Sequence, residues 1–254
     1  MSTFLAAPTL RLLKISAAAG VLAQDCMLCA GASGNRLVCE ACAGSLPRSP
    51  QACERCAIAL ANAGICGECQ RRAPSFDAAF AAFEYRFPLD RLVQRFKYAG
   101  DLAAGKWLAL ELAARVAPCE RPDLLVAPPI APSRLRERGF NQAVVIAKVI
   151  GKRLGIRHAP EALAKVRDTS PQPGLGRRAR LANLRDAFRC DARLAGEHVA
   201  IVDDVMTTGA TADTLARVLK AAGAARVSVW TLARTPDRTH TPGPTRTLGP
   251  APEG

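Results

Sequence analysis

The sequence predicts an α/β protein: a parallel sheet flanked by helices, preceded by a small cysteine-rich module. Three observations carry that prediction. Eight of the ten cysteines lie within residues 26–69 as four C-x-x-C pairs. Strand-like and helix-like stretches then alternate over residues 74–235, the order expected of parallel strands joined by helical crossovers. Within that stretch, four apolar residues at 199–202 run directly into two adjacent aspartates and a threonine-glycine loop. The bulk numbers agree: 254 residues suit one large domain or two smaller ones, and 49% hydrophobic with 22% charged residues is a globular composition, which excludes a disordered or fibrous chain. Mean hydropathy is only +0.06 and no apolar run approaches the length of a bilayer, which excludes a membrane-spanning helix. Aromatic residues are scarce at 5%, which argues against a surface built from many stacked bases.

In residues 1–24, Leu10, Leu13, Ala17 and Val21 recur at helical spacing, so this segment reads as a short amphipathic helix. Its basic residues, Arg11 and Lys14, come too late and its apolar part is too weak for a secretion signal.

Residues 25–73 hold the pairs Cys26/Cys29, Cys39/Cys42, Cys53/Cys56 and Cys66/Cys69, separated by 9, 10 and 9 residues. Two residues between cysteines let a tight turn aim both sulfurs at one ion, and two such turns supply the four thiolates that tetrahedral zinc takes. Eight thiolates therefore point to two structural zinc sites. A disulfide framework seldom repeats this spacing four times, and a redox motif needs one pair beside a βαβ unit. A segment this short and poor in large apolar side chains cannot fold on burial alone, and zinc binding, worth roughly 10–16 kcal/mol, becomes its folding energy. Pairing of first with second and third with fourth is the simplest arrangement, and crossed pairing satisfies the spacing too. Thiols kept as ligands imply a reducing, cytoplasmic compartment. With few basic residues (Arg36, Arg48, Arg55) and no aromatic one between Cys26 and Cys69, the module reads as a scaffold or protein-docking element rather than a sequence-reading finger.

Residues 74–235 form the α/β domain, with strands expected at 76–85, 123–130, 198–202 and 226–232 and helices at 102–116, 142–154 and 212–222. In such a sheet ligands bind at the carboxyl ends of the strands. That is where Asp203 and Asp204 stand, followed by Val205, Met206 and the loop Thr207-Thr208-Gly209-Ala210-Thr211. The loop presents backbone N–H groups and hydroxyls to an anion, with the positive end of a helix behind it. Gly209 lets the backbone bend sharply or approach a phosphate. Carboxylates beside a phosphate cradle suit a sugar phosphate, since they accept from ribose hydroxyls. A plain strand and capped helix would gain nothing from two like charges side by side. The stretch 174–179 fits G-x-G-x-x-A but follows Pro171 and Pro173 rather than a strand, so it fails as a dinucleotide site.

The formal net charge is +13, which favours anionic partners, and two four-thiolate zinc sites would lower it to about +9. Fourteen Lys/Arg against four Asp/Glu fall in residues 134–189, so the basic field belongs to the second half. Residues 236–254 carry five prolines without apolar periodicity and read as a disordered tail.

From the first helix to about residue 234 the chain resembles the ComF family of phosphoribosyltransferase-like proteins, also called ComF/GntX. The resemblance rests on the four C-x-x-C pairs, Lys97-Tyr98-Ala99-Gly100-Asp101, the R-L-R-E-R-G-F-N-Q of residues 134–142, Gln172 with Arg180-Leu181-Ala182-Asn183 and Ala187-Phe188, and the acidic-pair stretch. It implies a type I phosphoribosyltransferase-like sheet behind a double zinc ribbon, binding phosphoribosyl pyrophosphate (PRPP) with Mg²⁺. Asp203 and Asp204 would then hold the ribose hydroxyls, and residues 207–211 the 5′-phosphate. Ala127-Pro128-Pro129 would form the pyrophosphate loop, with Arg134, Arg136 and Arg138 neutralising charge there. Residues 167–180 would close over the site as a water-excluding lid. The family is linked to natural transformation, so two readings follow. One is a phosphoribosyltransferase acting on an acceptor the sequence does not reveal. The other is a non-catalytic PRPP- or nucleotide-sensing scaffold that binds single-stranded DNA or DNA-uptake proteins.

Overall fold

The computed structural model describes residues 24–167 and 186–236, so the expected leading helix, most of the lid and the tail lie outside the described residues. The cysteine module is a tandem repeat with an offset of 27 residues, carrying Cys26, Cys29, Cys39 and Cys42 onto Cys53, Cys56, Cys66 and Cys69. Its hydrogen bonds repeat with it. Ala30 N donates to Cys26 O and Ala57 N to Cys53 O, each at 2.8 Å. Ala30 and Ala57 both take positive φ (58° and 56°), and the bridge Asp25–Ala32 recurs as Ala52–Ala59. Each half ends in a short helix, α1 (Glu40–Ser45) and α2 (Gly67–Arg71).

The domain proper is a five-stranded parallel sheet. It comprises β1 (Ala78–Glu84), β2 (Leu124–Val126), β3 (Arg157–His158), β6 (His198–Met206) and β7 (Arg226–Arg234), in the order β1-β7-β6-β2-β3. Helices α3 (Leu89–Tyr98), α4 (Leu102–Val116) and α6 (Gln142–Leu154) share one core with Val202 and Trp230. On the opposite face, α7 (Ala210–Ala221) packs Leu215, Ala216 and Leu219 against Val199, Ile201 and Val229. A separate antiparallel pair, β4 (Leu163–Lys165) with β5 (Phe188–Cys190), sets Lys165 beside Phe188.

The repeat straddles β1, the edge of the sheet. Cys26, Val38 and Leu46 of its first half join the α3/α4/α6 core, whereas Ala57 and Cys56 of the second join the α7 core with Phe76 and Met206. Between the halves the chain runs along the strand: Glu84 N donates to Pro47 O (2.8 Å), Ser49 Oγ to Glu84 (2.7 Å), and Arg48 lies over the Phe83 ring (4.2 Å). An edge that would otherwise template aggregation is thus covered.

The helices expected at 102–116 and 142–154 form over those residues. The second strand is shorter than expected, because Pro128-Pro129 has no N–H to give a ladder. β6 is longer: β7 pairs with it as far as Met206–Arg234, so the aspartates lie within the strand rather than after it. Residues 132–138 form a helix, α5 (Pro132–Arg138), started by Pro132 and closed by Gly139 in the left-handed conformation (φ 76°).

Candidate functional site

The cysteine sulfurs gather as Cys26/Cys29/Cys39/Cys42 and Cys53/Cys56/Cys66/Cys69, each set within 4.8 Å, which settles the pairing as sequential. Zn–S bonds of about 2.3 Å in a tetrahedron require sulfurs about 3.8 Å apart. Cys29 and Cys39 stand 3.9 Å apart, and Cys56 and Cys66 3.7 Å. The geometry and the donor set therefore fit zinc. Backbone support is built in, since Cys39 N donates to Cys26 Sγ and Cys66 N to Cys53 Sγ, both at 3.3 Å. Burial works upward on the Cys26 thiol, but amides of Cys39, Cys29 and Leu28 outweigh it and bring it down to about 6. Cys42, hydrogen-bonded to the sulfurs of Cys39 and Cys29, is pushed up to about 12. Four thiols this close resist losing all their protons until a cation neutralises them.

The second centre lies at the carboxyl end of β6. Asp203 accepts from Asp204 N (2.8 Å), and Asp204 from Val205 N. Burial and the neighbouring Asp204 carboxylate push Asp203 up to about 7, against the opposing pull of the Asp204 amide and Lys97. Lys97, from the last turn of α3, puts its Nζ 2.9 Å from Asp204 Oδ2, with both side chains largely shielded from water. One carboxylate is therefore charge-paired while its neighbour holds a proton near neutrality.

Beyond Met206 the loop turns into α7. Gly209 takes φ 74°, and a Cβ there would meet Met206 Sδ at 3.7 Å and the Phe76 ring at 3.9 Å, so the turn sits close on its floor. Residues 207–211 line one cleft together with Asp203. Helix α7 begins at Ala210, and its N-terminal field points into that cleft. Beneath the loop is Arg234, 8% exposed, whose guanidinium donates to the carbonyls of Met206 (3.0 Å) and Thr207 from Nη1 and of Cys56 (3.0 Å) from Nε.

The R-G-F-N-Q stretch is held by a network of its own. Arg138 lies 5.3 Å from the Tyr98 ring centre and donates to Gln142 (3.2 Å). Phe140 packs on Phe96 with centroids 5.6 Å apart. Asn141 accepts from Ala143 N (3.0 Å), capping α6, and donates to Pro128 O (2.9 Å), which fixes the Ala127-Pro129 turn. Gln142 Nε2 reaches Lys97 O at 3.4 Å. A chain of contacts thus joins Arg138 to Gln142, Lys97 and Asp204. Asp101 completes its own motif by capping α4 through Ala104 N (3.0 Å) and pairing with Arg95 (3.0 Å).

Of the residues singled out by sequence, Asp203 and Val205 to Thr211 line one cleft, whereas Asp204 is not part of its lining and pairs with Lys97 instead. Arg134, Arg136 and Arg138 do not line up as a row, because α5 is helical: Arg134 and Arg138 are partly covered and Arg136 is exposed. Gln172 and residues 180–183 lie outside the described residues. Sequence reasoning gave no role to Lys97 or Arg234. Lys97 stood in a quoted motif without its distant carboxylate. Arg234 signalled itself only as a charge at the end of a mainly buried strand.

Residues 17–70 match the family described as double zinc ribbon domain, and residues 141–247 the family described as phosphoribosyl transferase domain. The chain is 33% identical over 205 residues to DNA utilization protein YhgH of Salmonella typhimurium, covering 78% of this chain and 90% of that protein. It is 31% identical over 207 residues to Competence protein F of Haemophilus influenzae, again covering 78% and 90%. Among solved structures it is similar to adenine phosphoribosyltransferase from Thermoanaerobacter pseudethanolicus (TM-score 0.35, 21% identity, covering 54% of this chain and 71% of that one). Among the described residues no helix is long and apolar enough to cross a membrane.

Proposed function

Since the chain belongs to the ComF family of double-zinc-ribbon, phosphoribosyltransferase-domain proteins, we propose that it binds PRPP at the carboxyl end of β6 and transfers the phosphoribosyl group to a nucleophilic acceptor in DNA utilization. The observation that carries this reading is the shared cleft of Asp203 and residues 207–211 at the start of α7. Asp203 and Asp204 would accept from the ribose 2′- and 3′-hydroxyls. The amides and hydroxyls of residues 207–211 would donate to the 5′-phosphate. Pro128, Pro129, Arg134 and Arg138 would face the pyrophosphate. The carboxylate oxygens are also donors of the kind Mg²⁺ takes, and Mg²⁺, when bound, neutralises charge on the departing pyrophosphate.

In the reaction the acceptor's lone pair forms the new bond to the anomeric carbon while the bond to pyrophosphate oxygen breaks with its electron pair. Positive charge builds on the ribose ring in between. Catalysis is then mainly positioning and electrostatics. Asp203 and Asp204 stabilise that charge from beneath the ring, and Lys97 holds Asp204 in place so that the two carboxylates are not both free to repel.

Pyrophosphate release from PRPP and Mg²⁺ by the zinc-loaded protein, screened over nucleobases and short single-stranded DNA, tests the proposal. One acceptor should stimulate release, and Asp203→Asn/Asp204→Asn should reduce it at least a hundredfold. Release untouched by the double substitution, or none above the blank with any acceptor, contradicts transfer.

A further inference from the structure

The two halves of the cysteine module repeat each other in sequence spacing and hydrogen bonding, yet among the described residues only the second is tied to the loop that lines the cleft. Arg234 donates through Nε to the carbonyl of Cys56, a ligand of the second site, and through Nη1 to the carbonyls of Met206, Thr207 and Thr235. Thr235 N in turn donates to Met206 O (3.1 Å). A second tie lies close by, where Ser75 N, just past the module, donates to Asp213 Oδ1 (2.6 Å) in the first turn of α7. Cys56 and Ala57 share their core with Phe76, Met206 and Ala212. Among the described residues the first site shows no such tie: Cys26, Met27, Leu28, Cys39 and Cys42 pack into the α3/α4/α6 core on the other face.

A planar guanidinium suits this place. Its fork can reach carbonyls on two edges at once, which a lysine ammonium on one flexible stem cannot do. With Arg234 buried, loss of its guanidinium removes the direct link between the Cys56 carbonyl and the carbonyls of Met206 and Thr207.

We infer that Arg234 is a positioning residue that couples the second cysteine site to the phosphate loop, so that zinc held by Cys53, Cys56, Cys66 and Cys69 sets the backbone of residues 206–209. The coupling to binding rests on the proposed role of that loop in holding the 5′-phosphate. The coupling to structure does not. Metal occupancy at the second site then controls the cleft, and occupancy at the first does not.

Residue-resolved hydrogen exchange on the full, zinc-supplied chain tests it, read at the amides of Thr235 and Asp213, which donate to Met206 O and Gly209 O. Cys66→Ser should speed both at least tenfold and Cys39→Ser less than twofold. Arg234→Lys should speed both with zinc bound, and Cys66→Ser should add little on top of it. Amides of residues 199–202 report whether the sheet is intact. If Cys66→Ser loses that protection, Arg234→Lys decides alone, and no acceleration overturns the inference. Equal effects of the two cysteine substitutions, or an undiminished effect of Cys66→Ser in the Arg234→Lys background, overturn it too. A parallel titration with PRPP separates the two readings. Exchange behaving as stated while wild type binds no PRPP removes the phosphate reading and leaves the coupling. PRPP binding unchanged in Arg234→Lys, with the amides unaffected, removes the coupling alone.

Discussion

Asp203 holds its proton close to neutral pH because burial and the carboxylate of Asp204 both disfavour its charge. In its proposed role as acceptor for a ribose hydroxyl it would work best ionised. With its pKa at about 7, PRPP affinity should rise on the order of tenfold between pH 6 and pH 8. The phosphates of PRPP titrate in the same range, so Asp203→Asn is the control, and calorimetry on that variant should lose the protein's share of the pH dependence. The sign for folding is opposite. A carboxyl raised above its ordinary value keeps a proton in the folded chain that the unfolded chain gives up, so its contribution falls as pH rises from about 4 to about 7. Asp203→Asn should therefore stabilise the protein at pH 8 and change little at pH 4, read as thermal midpoints. Lys97 pulls the other way on the same group. Lys97→Met should move the Asp203 midpoint upward, a shift visible in the binding-pH profile.

Among the elements, α3 and α4 meet where Gly105 faces Phe96: an alanine Cβ would stand 2.3 Å from the ring. Glycine to alanine within a helix ordinarily gains about 0.5–1 kcal/mol, whereas overpacking a closed core costs about 1–3 kcal/mol. Phe96 is fully buried against Phe140, so the clash dominates. Gly105→Ala should lower the unfolding free energy read from urea titration by about 1–2 kcal/mol, and Phe96→Leu in the same chain should recover part of it. Asn141→Ala removes the cap of α6, a loss of about 1 kcal/mol, and frees the Pro128 carbonyl, so PRPP should bind several-fold more weakly as well. Elements with their own periodicity, α4 and α6, were legible in the sequence to the residue. Short or special ones were not: α5 is seven residues with no buried face, β3 is two residues, and β4 and β5 depend on each other across distant sequence. The far end of β6 escaped because its partner β7, not its own composition, continues it.

The whole molecule is a two-faced sheet gripped at one edge by a duplicated metal module. Each half of that module contributes to a different core. Metal analysis should find two zinc ions per chain and one in Cys66→Ser. The sequence disclosed both cysteine sites and the acidic pair, since local spacing encodes them. It did not disclose how they are joined, because Lys97 to Asp204 and Arg234 to Cys56 are contacts across more than a hundred residues that no periodicity records. The function proposed above requires that the carboxyl end of β6 take a phosphorylated ribose. Calorimetric titration of the zinc-loaded protein with PRPP and Mg²⁺, beside Asp203→Asn/Asp204→Asn, tests it most directly. Saturable binding to wild type that disappears in the double variant is the predicted result. A folded wild type that takes up no PRPP, or a double variant that binds it equally well, would contradict the account.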